Sequence, residues 1–183
     1  GFKRAIGIRV DEDEAMRQIV NHLVGLGHKR LTYIGPNEGE VSSARYEGFV
    51  KAAKLQGLEP AAQFCVRTEE AAYAAATLAL QASPKPTALV AFNDIVAIGV
   101  QDAIQVYEDA GGPKVALTGF DNTYIASLSR VSLTSIEQEK VAIAIRAAEI
   151  LTSEPEVWKR LEGESLLLLP HLEVRNSTRA VKV

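Results

Sequence analysis

Three polar side chains that could together bind a small molecule lie in the polar stretches that follow apolar segments of strand length. They are Arg45, Asn93 and Asp121. An arginine supplies a planar set of hydrogen-bond donors, an aspartate accepts hydrogen bonds, and an asparagine can do both. This combination suits a neutral polyol, a sugar or another small polar metabolite. It contains no pairing of a nucleophile with a base, so it offers no route to covalent catalysis.

Each of these residues also has a purely structural interpretation. Arg45 could be a solvated surface residue in the first turn of a helix, and Asn93 or its neighbour Asp94 could cap a helix. Asp121 follows a Gly-Phe pair and could be a turn residue. Gln138 ends the sequence Ser-Ile-Glu-Gln, which matches a capping box and favours a capping role. The binding interpretation therefore depends on whether the tertiary structure brings these positions together.

Apolar runs of strand length alternate along the chain with longer segments of helical period. This alternation predicts an α/β fold built on a doubly wound parallel sheet, with helices on both faces. In such a sheet ligands bind beyond the carboxyl ends of the strands, so Arg45, Asn93 and Asp121 are expected to converge on one edge. The predicted strands are 5–10, 31–34, 64–66, 87–92, 115–119, 131–135, 166–169 and 172–175, and the predicted helices are 15–24, 44–55, 69–81, 94–106 and 137–151.

The composition argues against several classes of protein. The chain has 183 residues, 47% of them hydrophobic, and its net charge of −3 is unfavourable for binding DNA phosphates by itself. Cys65 is the single cysteine, which excludes an internal disulfide and a multi-cysteine zinc site. The three histidines lack metal-ligand spacing, and neither a phosphate-binding glycine motif nor a nucleophile elbow is present. We therefore expect no metal, no cofactor and no enzyme activity. No apolar run approaches the roughly 20 residues needed to cross a bilayer, so no membrane partner is expected.

Several short segments form an ordered set that spans nearly the whole chain. They are LVGLGHKRL at 23–31, RYEGF at 45–49, PTALVAFND with AIG at 86–99, GFDN at 119–122, LTSIEQ at 133–138, and LP with VRNST at 169–178. In this order they resemble the motifs HL-x-x-x-GH-x-x-I, R-x-x-GF, PTA-(I/V)-x-x-x-ND-x-x-A-x-G, GFDD/N, LTT-(I/V)-x-Q and LP…VR-x-ST of LacI/GalR-type transcriptional regulators. One such motif is weakly specific, and the ordered set is strongly specific.

The resemblance implies a fold, a ligand site and partners. The fold would be a periplasmic-binding-protein-like effector domain of type I, present as one lobe with part of a second. In relatives, residues at the positions of Arg45, Asn93 and Asp121 contact the effector, and the glutamine at the position of Gln138 often helps. The resemblance further implies a cytoplasmic, homodimeric regulator. Its small-molecule effector, a sugar or related metabolite, would modulate the binding of operator DNA by the intact protein.

The family pattern also predicts how the chain is divided. We expect about 11–136 to form the C-terminal lobe, 137–165 a returning piece of the N-terminal lobe, and 166–183 a closing segment. The N-terminal helix-turn-helix and the first part of the N-terminal lobe are expected to be absent, so operator DNA would be contacted only through that missing domain. The apolar face of the helix at 137–151 would then lack its partner strands and would favour repositioning, self-association or disorder. That face includes Val141, Ile145 and Ala148.

A periplasmic sugar-binding protein that serves transport is the alternative, because it shares this architecture. The closing VRNST segment and the GHKR segment favour the regulator. The upstream coding sequence distinguishes the two functions, since a regulator would carry a helix-turn-helix there and a transport protein a signal peptide.

Overall fold

The chain folds into two sheets with helices packed against them. The structure, a computed structural model, describes residues 5–181, so the last two residues of the predicted closing segment lie outside the described range. The strands are β1 (Gly7–Val10), β2 (Leu31–Gly35), β3 (Ala61–Phe64), β4 (Ala88–Ala91), β5 (Ala116–Phe120), β6 (Thr134–Glu137), β7 (Ser165–Leu168) and β8 (His171–Glu173). The helices are α1 (Glu12–Gly25), α2 (Glu40–Leu55), α3 (Glu69–Gln81), α4 (Asp94–Asp109), α5 (Tyr124–Ser127), α6 (Lys140–Leu151) and α7 (Pro155–Leu161).

The larger sheet has six strands in the order β3-β2-β4-β5-β6-β8. Its strands are parallel except for β8, an edge strand that runs antiparallel to β6. Helix α1 packs against α2, and α3 packs against α4. Right-handed crossovers place these two pairs on opposite faces. The predicted doubly wound sheet is therefore confirmed, with one antiparallel edge strand. The connection after β2 leads to β3 on one side, whereas the connection after β4 leads to β5 on the other side. A crevice therefore opens between the carboxyl ends of β2 and β4.

Aromatic packing sets the position of α2 on this sheet. Tyr33 of β2 and Phe49 of α2 are fully buried, with ring centroids 5.8 Å apart. Arg45 lies four residues before Phe49, so it projects from the same side of the helix, towards the sheet. The helix begins at Glu40, four residues before the start predicted from its apolar pattern. Gly39 precedes it with a φ of 92°, a conformation that glycine adopts without strain.

The edge strand β3 differs from the prediction, which placed a strand at 64–66. Pairing with β2 begins at Ala61 and ends at Phe64, and the Cys65 N–H then donates to the carbonyl of Gly35 over 3.2 Å. An edge strand is positioned by backbone pairing on one side, and its side chains need not be buried. Val66, one of the apolar residues behind the prediction, is accordingly exposed.

The predicted helix at 137–151 is also shorter than expected. Glu137 ends β6, Glu139 has a left-handed φ of 56°, and α6 begins at Lys140. The prediction of a capping box that ends at Gln138 is therefore wrong. Its first residue, Ser135, lies in a strand, and α6 has no side-chain cap. Pairing with β5 and β8 holds residues 134–137 extended, and this long-range pairing overrides the local capping pattern.

The smaller sheet consists of β1 and β7, which run parallel. Helix α6 packs against β1 and buries Ile150, while Val141 and Ile145 on its outer side are exposed. The expected exposure of this apolar face is therefore observed. The self-association expected to follow from it stays a prediction.

Candidate functional site

Arg45 is the central group of the candidate site, and it is buried. Its Nε and Nη2 donate to the carboxylate oxygens of Glu12 over 2.9 and 3.0 Å, and its Nη1 donates to the carbonyl of Phe92 over 2.6 Å. The guanidinium carbon lies 3.5 Å from the centroid of the Phe120 ring and 4.5 Å from that of Phe92. The interpretation of Arg45 as a solvated surface residue is therefore wrong.

These contacts show the predicted convergence of three separate stretches of chain. Phe92 and Phe120 directly precede Asn93 and Asp121, so one guanidinium reaches the ends of both β4 and β5. The site lies at the carboxyl ends of the neighbouring strands β2 and β4. From these ends the chain continues to opposite sides of the pair, to β3 and to β5. The geometric part of the prediction is confirmed, whereas the role of these residues in binding a ligand stays a prediction.

Asp121 lies in the loop after β5 with a φ of 99°, so it is a turn residue as well as a candidate ligand. The side-chain amide of Gln138 donates to its Oδ1, and Lys140 Nζ donates to its backbone carbonyl over 2.6 Å. Burial raises the pKa of the Asp121 carboxyl, and the positive charge of Arg45 opposes that rise. Gln138 thus contacts a candidate ligand residue and does not act as a helix cap.

Asn93 is the N-cap of α4, as its structural interpretation proposed. Its Oδ1 accepts a hydrogen bond from the backbone N–H of Val96 over 3.0 Å, which satisfies one of the free N–H groups at the helix start. Capping occupies only the oxygen of the amide. Within residues 5–181 no hydrogen bond is made by its Nδ2, which therefore keeps two donors for a ligand.

Two acidic residues of this region were not identified as site residues from sequence. Glu12 forms the ion pair with Arg45. Asp94, considered only as a cap, is buried and accepts hydrogen bonds from the Ser135 hydroxyl at 2.7 Å and from the Thr123 N–H and hydroxyl at 2.7 and 2.9 Å. The hydrogen-bond partners of Glu12 and Asp94 lie about 30 or more positions away in the chain. The local spacing of residues therefore could not predict these contacts.

Asp94 holds the loop that carries Asp121. Its two carboxylate oxygens connect the start of α4, the middle of β6 and the residue two positions after Asp121. A Cβ added to Gly119 would lie 2.5 Å from Asp94 Oδ1, so glycine is needed for this close approach. Asp94 thus positions the candidate ligand residue through the backbone.

The arrangement suits recognition of an uncharged polar molecule. A buried guanidinium, two side-chain amides and a carboxylate provide both donors and acceptors beside two aromatic rings. Across residues 5–181 no group of three or more His, Cys, Asp or Glu residues could hold a metal ion. Over the same range no helix is long and apolar enough to cross a membrane.

Comparison with known proteins agrees with this fold. A family profile described as periplasmic binding protein-like domain matches residues 20–178. The arabinose metabolism transcriptional repressor of Halalkalibacterium halodurans is 29% identical over 88% of this chain and 46% of its own length. The HTH-type transcriptional repressor CytR of Escherichia coli is 30% identical over 95% of this chain and 52% of its own. The crystal structure of a LacI transcriptional regulator from a Rhodococcus species superposes with a TM-score of 0.85 at 26% identity, over 98% of this chain and 66% of that one.

The fold and the family profile together define the class: this chain belongs to the periplasmic binding protein-like domain family. Its sequence relatives and structural neighbours are LacI-type regulators, and it corresponds to the C-terminal part of their effector-binding domain. The chain spans about half the length of the curated relatives it matches.

Proposed function

We propose that this chain is the effector-sensing part of a transcriptional regulator and binds a small neutral metabolite, a sugar or a sugar derivative, at the carboxyl edge of its larger sheet. One observation carries the proposal: the guanidinium of Arg45 contacts the residues that immediately precede Asn93 and Asp121. The relatives are repressors, which favours regulation over transport and over catalysis.

In this proposal each side chain has a distinct role. The Asp121 carboxylate accepts hydrogen bonds from adjacent hydroxyl groups, and the Asn93 Nδ2 donates to a hydroxyl or ring oxygen. The guanidinium of Arg45 has five N–H groups, of which three make the hydrogen bonds described above, so two are left for the ligand. Gln138 orients the carboxylate through the hydrogen bond to Asp121 Oδ1.

The ion pair of Arg45 with Glu12 offers a route by which a ligand would change the geometry of the protein. Glu12 is the first residue of α1, and the backbone N–H of the preceding Asp11 donates to the carbonyl of Leu168 in β7 over 3.0 Å. A ligand that draws Arg45 towards itself would therefore alter contacts that lead to the smaller sheet. If two arrangements are in equilibrium, the ligand stabilises the one it binds more tightly.

We also propose the arrangement of the longer protein. In it, residues 137–165, which contain α6 and α7, belong to the returning part of a second lobe, residues 11–136 form the first, and 166–183 close the fold. The longer protein is a homodimer that contacts operator DNA through a separate helix-turn-helix. The relatives, which are about twice as long as this chain and are named as repressors, support this proposal.

The proposal is tested by thermal unfolding with a panel of neutral pentoses and hexoses that includes arabinose. A ligand at a hundredfold excess over its Kd stabilises the folded state by about 2.7 kcal/mol, which raises Tm by roughly 5 to 10 °C for a chain of this size. Asp121→Asn should abolish that rise, because with the amide oxygen held by Gln138 the variant presents an N–H donor to the ligand where the carboxylate presents an acceptor oxygen.

The matched control is Asp102→Asn, the same chemical change at an exposed position on α4. It should leave the ligand-induced rise in Tm unchanged. The proposal fails if no neutral sugar raises Tm, or if the rise persists in full in Asp121→Asn.

A further inference from the structure

Within residues 5–181 the chain passes between the larger and the smaller sheet at three short connections. Asp11 lies between β1 and α1, residues 138–139 lie between β6 and α6, and residues 169–170 lie between β7 and β8. Glu139 belongs to the second connection, and His171 directly follows the third. A contact between these two side chains therefore joins two of the places where the sheets are linked.

His171 makes this contact and bridges two carboxylates. Its Nδ1 lies 2.7 Å from Oε1 of Glu139, and its Nε2 lies 2.8 Å from Oε1 of Glu173. An ionised carboxylate only accepts hydrogen bonds, so both ring nitrogens donate and the ring is positively charged. The hydrogen bonds to Glu173 and Glu139 stabilise that form and raise the pKa of His171 above its ordinary value of 6.5. The side chain is 51% exposed, so the ring can exchange its proton with solvent.

The connection that contains Glu139 also positions Asp121. The side-chain amide of Gln138 donates to Asp121 Oδ1, and Lys140 Nζ donates to the backbone carbonyl of Asp121 over 2.6 Å. Glu139 lies between these two residues with a left-handed φ of 56°, a conformation that is unfavourable for a residue other than glycine. The helix that follows has no side-chain cap. The conformation of this connection therefore depends on its side-chain contacts, and Glu139 makes its contact with His171.

The other charged groups around His171 have partners of their own. Glu137, which lies opposite His171 in the pairing of β6 with β8, forms an ion pair with Lys140. Arg175, two residues after β8, donates to neutral oxygens. The acidic groups at the start of α1, which packs against β8, are also paired. These pairs are Glu12–Arg45, Asp13–Lys51 and Glu14–Arg17. Burial lowers the pKa of His22 on the same helix, so it titrates at lower pH than His171.

We propose that protonation of His171 regulates the candidate site: the charged ring holds Glu139, and with it the connection that positions Asp121, whereas loss of the proton releases this connection. The inference rests on the proposed function, because the regulated site is the one assigned there to the ligand. It adds a pH dependence that the ligand contacts by themselves do not imply.

The number of N–H groups on the ring explains the release. A neutral imidazole has one N–H, so it can donate to only one of the two carboxylates. Glu173 lies two residues away on the same strand, whereas the contact with Glu139 orders a separate connection and costs more conformational entropy. The Glu139 contact is therefore present at low pH and is lost as pH rises through the raised pKa of His171. Asp121 is then held less firmly.

The experiment is an NMR titration of the full 183-residue chain without ligand, from about pH 6 to 9. It follows the His171 ring, the side-chain amide of Gln138 and the backbone N–H of Asp121. The two probes at the site should shift with the same midpoint as the ring. In His171→Gln that shift should disappear, because glutamine does not titrate. The proposal is overturned if the two probes do not follow the ring, or if they shift equally in His171→Gln.

Three substitutions of exposed glutamates separate the long-range contact from the local one. Glu139→Gln should lower the midpoint of His171 and abolish the shift at Gln138. Glu173→Gln should also lower the midpoint, but the shift at Gln138 should remain and follow the new midpoint. The matched control, Glu59→Gln, lies just before β3, at the opposite edge of the sheet from β8, and should change neither. Loss of the shift in Glu173→Gln, or a change of midpoint in Glu59→Gln as large as in Glu139→Gln, would contradict the proposal.

Ligand binding tests the regulatory consequence separately. The pentose or hexose that raises Tm should bind about two- to fivefold more weakly at pH 9 than at pH 6, the size expected for an exposed ion pair. His171→Gln should remove the difference. Equal affinities of the wild type at the two pH values would overturn the regulation. If no sugar binds, the proposed function fails, whereas the ligand-free titration still decides whether His171 controls Asp121.

Discussion

At the scale of single residues, the ion pair of Arg45 with Glu12 fixes the central group of the candidate site. The Arg45 side chain is 4% exposed and that of Glu12 14%. Taking both charges out of water is costly, and the two hydrogen bonds between them offset that cost only while both partners are present. The pair therefore holds the guanidinium in the crevice and couples the first turn of α1 to the site.

Removing one partner of this pair should be strongly destabilising. Arg45→Met should lower the free energy of unfolding by about 3 kcal/mol, because it leaves a largely buried carboxylate unpaired. The double variant Arg45→Met/Glu12→Leu should recover most of that loss. Lys51→Met is the control: it breaks the exposed Lys51–Asp13 pair and should cost less than about 1 kcal/mol. Urea denaturation followed by circular dichroism measures all three, and equal losses in Arg45→Met and Lys51→Met would contradict the prediction.

Asp121 should make stability depend on pH in the direction opposite to most carboxylates. Burial raises its folded-state pKa above the ordinary value of 3.8. Between those two values the folded state binds more protons than the unfolded state, so this contribution to stability is present at low pH and is lost as pH rises through the folded pKa. The pKa values of Glu14 and Glu137 are lowered in the folded state, so these two groups make stability rise with pH. Their contribution is the same in the wild type and in a variant at position 121.

The Asp121→Asn variant isolates this effect. Its free energy of unfolding minus that of the wild type should become more positive as pH rises from about 3 to 6, because the amide does not titrate. Urea denaturation at a series of pH values provides the measurement. A difference that stays constant or falls with pH would show that burial of this carboxyl is not the dominant influence.

At the scale of elements, the contact between α3 and α4 depends on one glycine. A Cβ added to Gly99 of α4 would lie 2.0 Å from the carbonyl oxygen of Glu69, the first residue of α3. The alanine-rich inner side of α3 permits the same close approach along the rest of the pair. Because α4 begins at Asn93 and Asp94, its position on the sheet also sets the position of the site.

Gly99→Ala should therefore destabilise the fold by about 1 to 3 kcal/mol, since the added methyl group forces the two helices apart. Gly25→Ala is the matched control: this glycine ends α1, and a Cβ added there meets no atom within 4 Å. It should be neutral or stabilising by up to about 1 kcal/mol. Thermal unfolding of the two variants compares them directly, and equal effects would contradict the close-packing argument.

At the scale of the whole molecule, the two sheets differ greatly in how well they are covered. The larger one lies between two pairs of helices, whereas the smaller has two strands, and a two-stranded sheet is marginal alone. Apolar side chains of the helices, strands and connecting segment around it remain exposed. These are Val141, Ile145, Leu151, Trp158, Leu167 and Leu169. Large apolar side chains left in contact with water promote association.

The chain should therefore self-associate in solution as its concentration rises. Sedimentation analysis between micromolar and millimolar concentrations should show a mass above that of one chain. Val141→Gln/Ile145→Gln should reduce the association by removing two large apolar groups, exposed by 73% and 54%. Leu55→Gln, at a 73% exposed position on α2, should have no effect. A single-chain mass throughout this range would contradict the prediction.

Much of the fold follows from patterns that are local in the sequence. Alternating apolar runs predicted the parallel sheet and its helices, because a strand buried on both faces must be apolar throughout, as the ALVA sequence of β4 is. The ends of those strands then identified Arg45, Asn93 and Asp121, since parallel strands bring their carboxyl ends to one edge. The cap of α4 by Asn93 was equally local, because a cap needs only a side chain three residues from its partner.

Only the tertiary structure decided which charges meet. Nothing in the spacing of the acidic residues at 11–14 showed that Glu12 pairs with Arg45 and Asp94 with Ser135, because these partners come from different elements. Pairing across the sheet likewise kept Ser135 in a strand where the local sequence favoured a helix cap, and it freed Gln138 to contact Asp121. The sequence by itself determined the elements and the edge where polar groups gather. The packing of those elements decided the partners, because the energy of a buried charge depends on neighbours that are distant in the chain.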